Sequence, residues 1–165
     1  VPMTKPDAVL RALKLSETGQ HRSAFRMLLR AARRGDASAF ISLGYAYDTG
    51  SGVRPSKAKA LYWYARAAAL GEAAGAHNIA TIFRDRGDIA RMARWLRRAV
   101  ELRDSGSNLL LGQLLLTRSH DPASALRSFN KVGPDAFPSE EEAAVVWRAT
   151  AQSMLAAQLD GSGRA

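Results

Sequence analysis

Apolar residues fall along the chain in blocks of helical length, separated by glycine, proline and short polar runs. The clearest pair of blocks lies between Asp36 and Gly71, DASAFISLGYAYDTGSGVRPSKAKALYWYARAAALG. The pattern predicts a helix over about 37–49 that stops at Gly50 and Gly52, where a left-handed backbone costs least. A second helix follows over about 56–70, after Pro55, with Ser56 as its cap and Gly71 as its stop.

The same pattern recurs. Met27, Leu28 and Arg30-Ala31-Ala32 fall 36 residues before Trp63, Tyr64 and Arg66-Ala67-Ala68, and Gly35 falls as far before Gly71. Downstream by 32, Trp95, Leu96 and Arg98-Ala99 meet Trp63, Tyr64 and Arg66-Ala67. The difference is taken up between the helices, where the third copy has only Arg86-Gly87-Asp88. A fourth copy places Leu111-Gly112 on Leu43-Gly44, and Ala125-Leu126, Phe129 and Lys131 on Ala60-Leu61, Tyr64 and Arg66. Each first helix keeps one small residue, Ala12, Gly44, Ala80 or Gly112, with Trp63 and Trp95 expected as the bulk that faces it.

After the fourth copy, 133–138 (GPDAFP) reads as a turn. Ser139 with Glu142 reads as a capping box, with Glu140 and Glu141 in the favourable first turn of a helix running to about Leu159. Its Val145, Val146, Trp147, Met154 and Leu155 are expected to cover the end of the last repeat, and the tail 160–165 to be loose. The expected fold is therefore all-α. It is an α-α solenoid of about four helix-turn-helix repeats (7–35, 36–71, 72–103 and 104–132) plus a capping helix over 139–159, in one domain spanning 1–165.

The second copy resembles the Sel-one-like repeat (SLR) of the tetratricopeptide superfamily. The likeness rests on Leu43, Gly44 and Tyr47, on Gly50, Gly52 and Val53, and on Lys59, Ala60, Trp63, Tyr64, Arg66, Ala67, Ala68 and Gly71. The other three copies are degenerate versions of it. This resemblance implies a right-handed superhelix whose first helices line a concave face, and a role as an adaptor for other proteins. Relatives that staple each hairpin with a cysteine pair have no counterpart here, since the chain has no cysteine.

Composition changes the picture in one respect, charge. The formal net charge is +9, from 24 Lys and Arg against 15 Asp and Glu. Residues 1–103 hold 19 of the basic and 8 of the acidic side chains (net +11), so 104–165 carry 5 and 7 (net −2). A basic half can attract nucleic acid, an anionic surface or an acidic protein, though a solubilising surface is the plainer reading. Arg22, Arg26 and Arg30 form a stripe along one predicted helix with Arg33 and Arg34, and Arg94 and Arg98 do the same later with Arg91 and Arg97. Arg30, Arg66, Arg98 and Lys131 stand at equivalent positions, expected as a solvated ladder on the outer wall. With the tryptophans assigned to the core, no exposed aromatic interleaves with these arginines, which disfavours nucleic acid.

Signals for chemistry are weak. His21, His77 and His120 lack a second ligand at metal-binding spacing, and Gly50-Ser51-Gly52 lacks the Lys-Ser or Lys-Thr of a phosphate cradle. Glu140, Glu141 and Glu142 suit a helix start better than paired acid–base work. The expectation is a chain that is not an enzyme and takes no metal or cofactor. The leading reading is a scaffold that grips a partner protein or peptide, acidic in one version, through the concave groove. The groove is expected to present Ser42, Tyr45 and Thr49, then Asn78 and Thr81, then Gln113 and Thr117, with Tyr45 as anchor. The alternative is a binder of nucleic acid or an anionic surface through the arginine faces Arg22, Arg26, Arg30, Arg66, Arg94 and Arg98. No apolar run approaches a bilayer span, so a soluble protein is expected, cytoplasmic or periplasmic. The start Val1-Pro2 fits a mature or excised fragment, from which an earlier leader would have gone. Oligomeric state stays open, because a short repeat stack keeps two end faces.

Overall fold

The computed structural model describes residues 5–132 and 138–162, and every regular element among them is an α-helix. The chain divides into two compact units, Val1–Gly87 and Asp88–Ala165. The first holds α1 (Lys5–Glu17), α2 (His21–Arg33), α3 (Ser38–Thr49), α4 (Lys57–Ala69) and α5 (Ala73–Asp85). The second holds α6 (Ile89–Glu101), α7 (Ser105–Arg118), α8 (Pro122–Phe129) and α9 (Pro138–Ser162). Within each unit, successive helices pack on one another, and α1 also touches α3 as α7 touches α9.

In the first unit, helix ends are set by glycines and by contact. Gly50 closes α3 at φ 83° and Gly71 follows α4 at φ 91°, both left-handed. Ser56 caps α4 by accepting from the Lys59 N–H. At the start of α3, Asp36, 5% exposed, accepts through Oδ1 from the Ser38 N–H at 3.1 Å and from the Ser38 hydroxyl. The starts of α2 and α5 have no side-chain cap bond. Two glycines hold them by close approach instead. A Cβ on Gly52 would run into the His21 carbonyl at the start of α2, and one on Gly75 would lie 2.5 Å from the Tyr64 carbonyl of α4.

The buried seam of this unit runs through Ala12, Leu28, Phe40, Leu43 and Ala67. Its repeated small residue does abut bulk, but not the bulk the sequence suggests. A Cβ on Gly44 would collide with the Tyr64 ring. Trp63, one position earlier and about 100° round the helix, is only half-buried and leans on the edge of the core. Trp95 is half-buried too, whereas Leu96 beside it is fully covered. The matching position of the second unit repeats the pattern: a Cβ on Gly112 in α7 would strike the Phe129 ring of α8. Side-chain size is therefore compensated across the α3–α4 and α7–α8 hairpins, glycine with an aromatic ring (Gly44 with Tyr64, Gly112 with Phe129), while the cluster of α1 and α2 combines Ala12 with Leu28.

The second unit starts its helices differently. Asp88, Asp104 and Asp121 each accept from the N–H three residues on, those of Arg91, Ser107 and Ser124, at 2.9, 2.8 and 2.9 Å. These are N-caps, each satisfying one of the donors left over at a helix start. The core here gathers Leu109, Leu116, Phe129, Val132, Ala144 and Ala151, with Trp147 and Met154 against it and Trp147 stacked on Phe129 at 6.3 Å.

Three expectations for α9 need correction. It begins at Pro138, so Ser139 stands inside its first turn rather than capping it. It continues to Ser162, which extends helix through Asp160 and Gly161, residues expected to be loose; 163–165 lie outside the described residues, as does most of the expected turn, 133–137. Val145 and Val146, expected to cover the last repeat, are 55% and 65% exposed, because Ala144, Trp147, Ala151 and Met154 form the inward stripe.

Candidate functional site

The first unit contains a concavity of about 520 Å³ walled by α1, α2, α3 and α5. Its floor is the apolar seam at Ala24, Phe25, Leu28 and Ile41, and its rim carries polar groups. Ser42, Tyr45, Thr49 and Asn78, all picked out in the sequence as groove residues, line this one cavity. Tyr45 is 59% exposed and Leu13, across from it in α1, is 51% exposed, so both carry unburied apolar surface to the opening. Thr49 donates its hydroxyl to the Tyr45 carbonyl one turn back, at 2.9 Å, which fixes the rotamer beside that ring.

The remaining groove candidates are placed elsewhere. Thr81 is half-buried on α5 and does not line the cavity. Gln113 and Thr117 belong to α7 in the second unit, where Thr117 donates to the Gln113 carbonyl at 2.7 Å. Among the lining residues not foreseen as groove positions are Leu13 and Ser51, with Ser16, Glu17 and His21 beside them. Ser51 sits in the loop after α3 and approaches His21 at 3.3 Å, closing one side of the opening. The signal for Ser51 and Leu13 was present in the long loop and in an apolar residue on the exposed face of α1.

Tyr64 is 1% exposed, and burial pushes its phenol well above the ordinary tyrosine range, with the Asp48 charge and then Tyr45 adding to the rise. The phenol therefore stays neutral, a packing group rather than an acid. Among the described residues no group of three His, Cys, Asp or Glu side chains could hold a metal ion, and no helix is long and apolar enough to cross a membrane.

The arginines do not form one uniform solvated face. Arg22, Arg26 and Arg30 are exposed along α2, and no described carboxylate pairs with them. Arg94 is exposed on α6, while Arg98 is bound to Glu101 at 3.0 Å. Arg66 departs most from expectation. Its guanidinium lies 4.3 Å from the Phe40 ring centre, 5.3 Å from Trp63 and 5.9 Å from Tyr62, itself 56% exposed. Aromatic rings and cations thus do share a surface, because Trp63 is displaced to the core edge and Tyr62 lies outside it.

Residues 18–36 and 39–72 match the Sel1 repeat family model, the same stretch that forms α2, α3 and α4. That stretch of the chain, about a third of its length, is similar to the Sel1 repeat. Among solved structures, it is similar to a Sel1 repeat protein from Oxalobacter formigenes, at 22% identity and a TM-score of 0.65 over 77% of this chain and 57% of that one. It is also similar to c5321, a protective antigen of uropathogenic Escherichia coli displaying an SLR fold, at 19% identity and a TM-score of 0.68 over 89% of this chain and 38% of that one. The chain thus spans less than two thirds of the length of either relative, and at these identities the likeness shows the fold, an α-α solenoid of the SLR type. Among curated proteins none matches. Sel1-repeat proteins are generally protein-interaction scaffolds, and the fold is typically a non-enzymatic one.

Proposed function

We propose that this chain is an adaptor that holds a partner protein through the cavity of its first unit. The occupant is an apolar stretch of the partner, a helix face or an extended peptide, with one large side chain seated on Phe25 and Leu28 between Tyr45 and Leu13. The observation that carries the reading is Tyr45, 59% exposed at the rim of an apolar concavity that none of the described residues of its unit fills. Exposed tyrosines beside such pockets supply contact area and a hydrogen-bonding tip, and residues of this type dominate binding energy. Ser42, Thr49 and Asn78 supply the polar rim that fixes orientation.

The test begins with a photo-crosslinking residue at position 45, which identifies the partner from the native cell. Binding of that purified partner is then measured by calorimetry. Tyr45→Ala weakens it by about tenfold or more, a loss of roughly 1.4 kcal/mol or above. Asn78→Ala weakens it less. A second reading, an acidic surface held by the arginines of α2, is favoured by the unpaired exposure of Arg22, Arg26 and Arg30. If Tyr45→Ala binds as the parent does, and Arg26→Glu with Arg30→Glu abolishes binding, the second reading replaces the first. Salt separates them as well, since binding to phosphates weakens steeply as salt rises and apolar seating does not.

A further inference from the structure

A second concavity of about 510 Å³ lies in the first unit among α2, α3 and α4, lined by residues the Tyr45 cavity does not use. Arg33, Lys59 and Arg66 contribute its cations, and Tyr47, Tyr62 and Trp63 its rings. No carboxylate lines it, and no described carboxylate pairs with any of the three cations. Two of the cations are held in place from below. Arg66 is spread over Phe40, Trp63 and Tyr62, and the Lys59 ammonium stands 5.3 Å above the Tyr47 ring.

Stacking engages the face of a guanidinium and leaves its edge, five N–H donors in a fixed fork, to seek acceptors. A planar fork already immobilised by rings loses little entropy when it takes a carboxylate in two parallel bonds. Three like charges around one hollow repel each other, and an anion between them removes that repulsion. The rings decide which anion. Trp63 is tilted against Phe40 at 5.4 Å, meets Tyr62 edge-on at 5.1 Å and lies beneath Arg66, while Tyr47 is covered by Lys59 and meets Phe25 edge-on at 5.3 Å. Trp63 and Tyr47 each already carry a cation over the ring, so these two are poor platforms for nucleobases, which need an open π face. What they offer is an apolar wall, with Leu29 and Ala32 beside it.

We infer that this pocket is a receptor for the carboxylate side chains of an acidic peptide, the Arg66 fork taking one carboxylate and Lys59 and Arg33 neutralising its neighbour. The site shares with the Tyr45 reading only the premise that the chain binds proteins. Failure of Tyr45→Ala to weaken the crosslinked partner leaves it standing.

The experiment uses the full chain and a fluorescein-labelled nonapeptide of alternating Glu-Glu-Leu and Asp-Asp-Phe segments, followed by anisotropy at low salt. The peptide binds the parent protein, and Arg66→Gln weakens binding by about tenfold, equivalent to roughly 1.4 kcal/mol. Arg66→Lys, which keeps the charge and loses the fork, recovers only part of the loss. Arg33→Gln tests the pocket without disturbing the ring stack and weakens binding about threefold, while Tyr45→Ala leaves it unchanged. The inference is overturned if Arg66→Gln and Arg33→Gln both bind as the parent does. It is equally overturned if a single-stranded oligothymidine displaces the peptide at lower concentration than the unlabelled peptide does, or if inorganic phosphate at equal concentration displaces it fully.

Discussion

The two units of the chain set their helix starts by partly different means: α6, α7 and α8 each begin on an aspartate cap, whereas α2 and α5 begin with no side-chain cap bond and lie against neighbouring backbone. In the first, glycines let one backbone lie directly on another: Gly52 against His21 and Gly75 against the Tyr64 carbonyl. In the second, aspartates at 88, 104 and 121 do the work through single hydrogen bonds. The first arrangement depends on shape, which pH does not alter; the second depends on charge. Both candidate binding concavities described here belong to the unit built on shape, and so does the whole Sel1 family match.

This contrast can be broken or sharpened by substitution. Gly75→Ala should cost the most, about 3 kcal/mol, because the new methyl would meet backbone that cannot rotate away. Urea unfolding followed by circular dichroism measures it. Gly44→Ala and Gly112→Ala test the size compensation in both units. Helix propensity alone would make each more stable by about 1 kcal/mol. Overlap with the Tyr64 and Phe129 rings should outweigh that gain and leave a net loss of about 1–2 kcal/mol. Adding Tyr64→Leu to Gly44→Ala, which recreates the Ala12 and Leu28 combination, should recover part of the loss. A stabilised Gly44→Ala protein would show that the ring yields freely and that the pairing rule is wrong.

Asp104→Ala should remove about 1 kcal/mol from the second unit, read as a lower urea midpoint, and Ser56→Ala a similar or smaller amount from the first. The mildest effect is acid sensitivity. Hydrogen bonds from Arg91 hold the Asp88 carboxyl below its ordinary value, and those from Ser124 do the same for Asp121. A lowered folded pKa means that the stabilisation is complete above the unfolded value of about 3.9 and is lost as pH falls through the folded value. Hydrogen exchange in acid should therefore show the starts of α6 and α8 opening before those of α2 and α5. Simultaneous opening would remove the distinction between the units.

Much of the first unit was legible in the residues themselves. Ser56 before Lys57 and Gly71 after Ala69 marked α4 at both ends, and Leu43-Gly44-Tyr47 marked the packed face of α3. The partner of the small residue was misread by one position for a physical reason. Trp63 and Trp95 are the bulkiest residues of their helices, which draws attention, whereas the rings that meet Gly44 and Gly112 are Tyr64 and Phe129, one position further on. The cation and ring pocket escaped notice because Tyr62, Trp63 and Arg66 were treated singly. Their spacing of three and four residues already put both rings within reach of one guanidinium. At α9, Gly161 and the serines near it read as a tail, yet one glycine costs a helix only about 1 kcal/mol and the turn persists.

The matched sizes within the α1–α2, α3–α4 and α7–α8 hairpins also constrain how such a molecule can be rebuilt. Moving α4 alone into the place of α2 would set the Tyr64 ring against the methyl of Ala12, and the reverse exchange would leave a hollow above Gly44. Whole hairpins carry their own fit with them. The smallest cassette that can be duplicated, deleted or grafted without fresh repacking is thus a pair of helices and the loop between them.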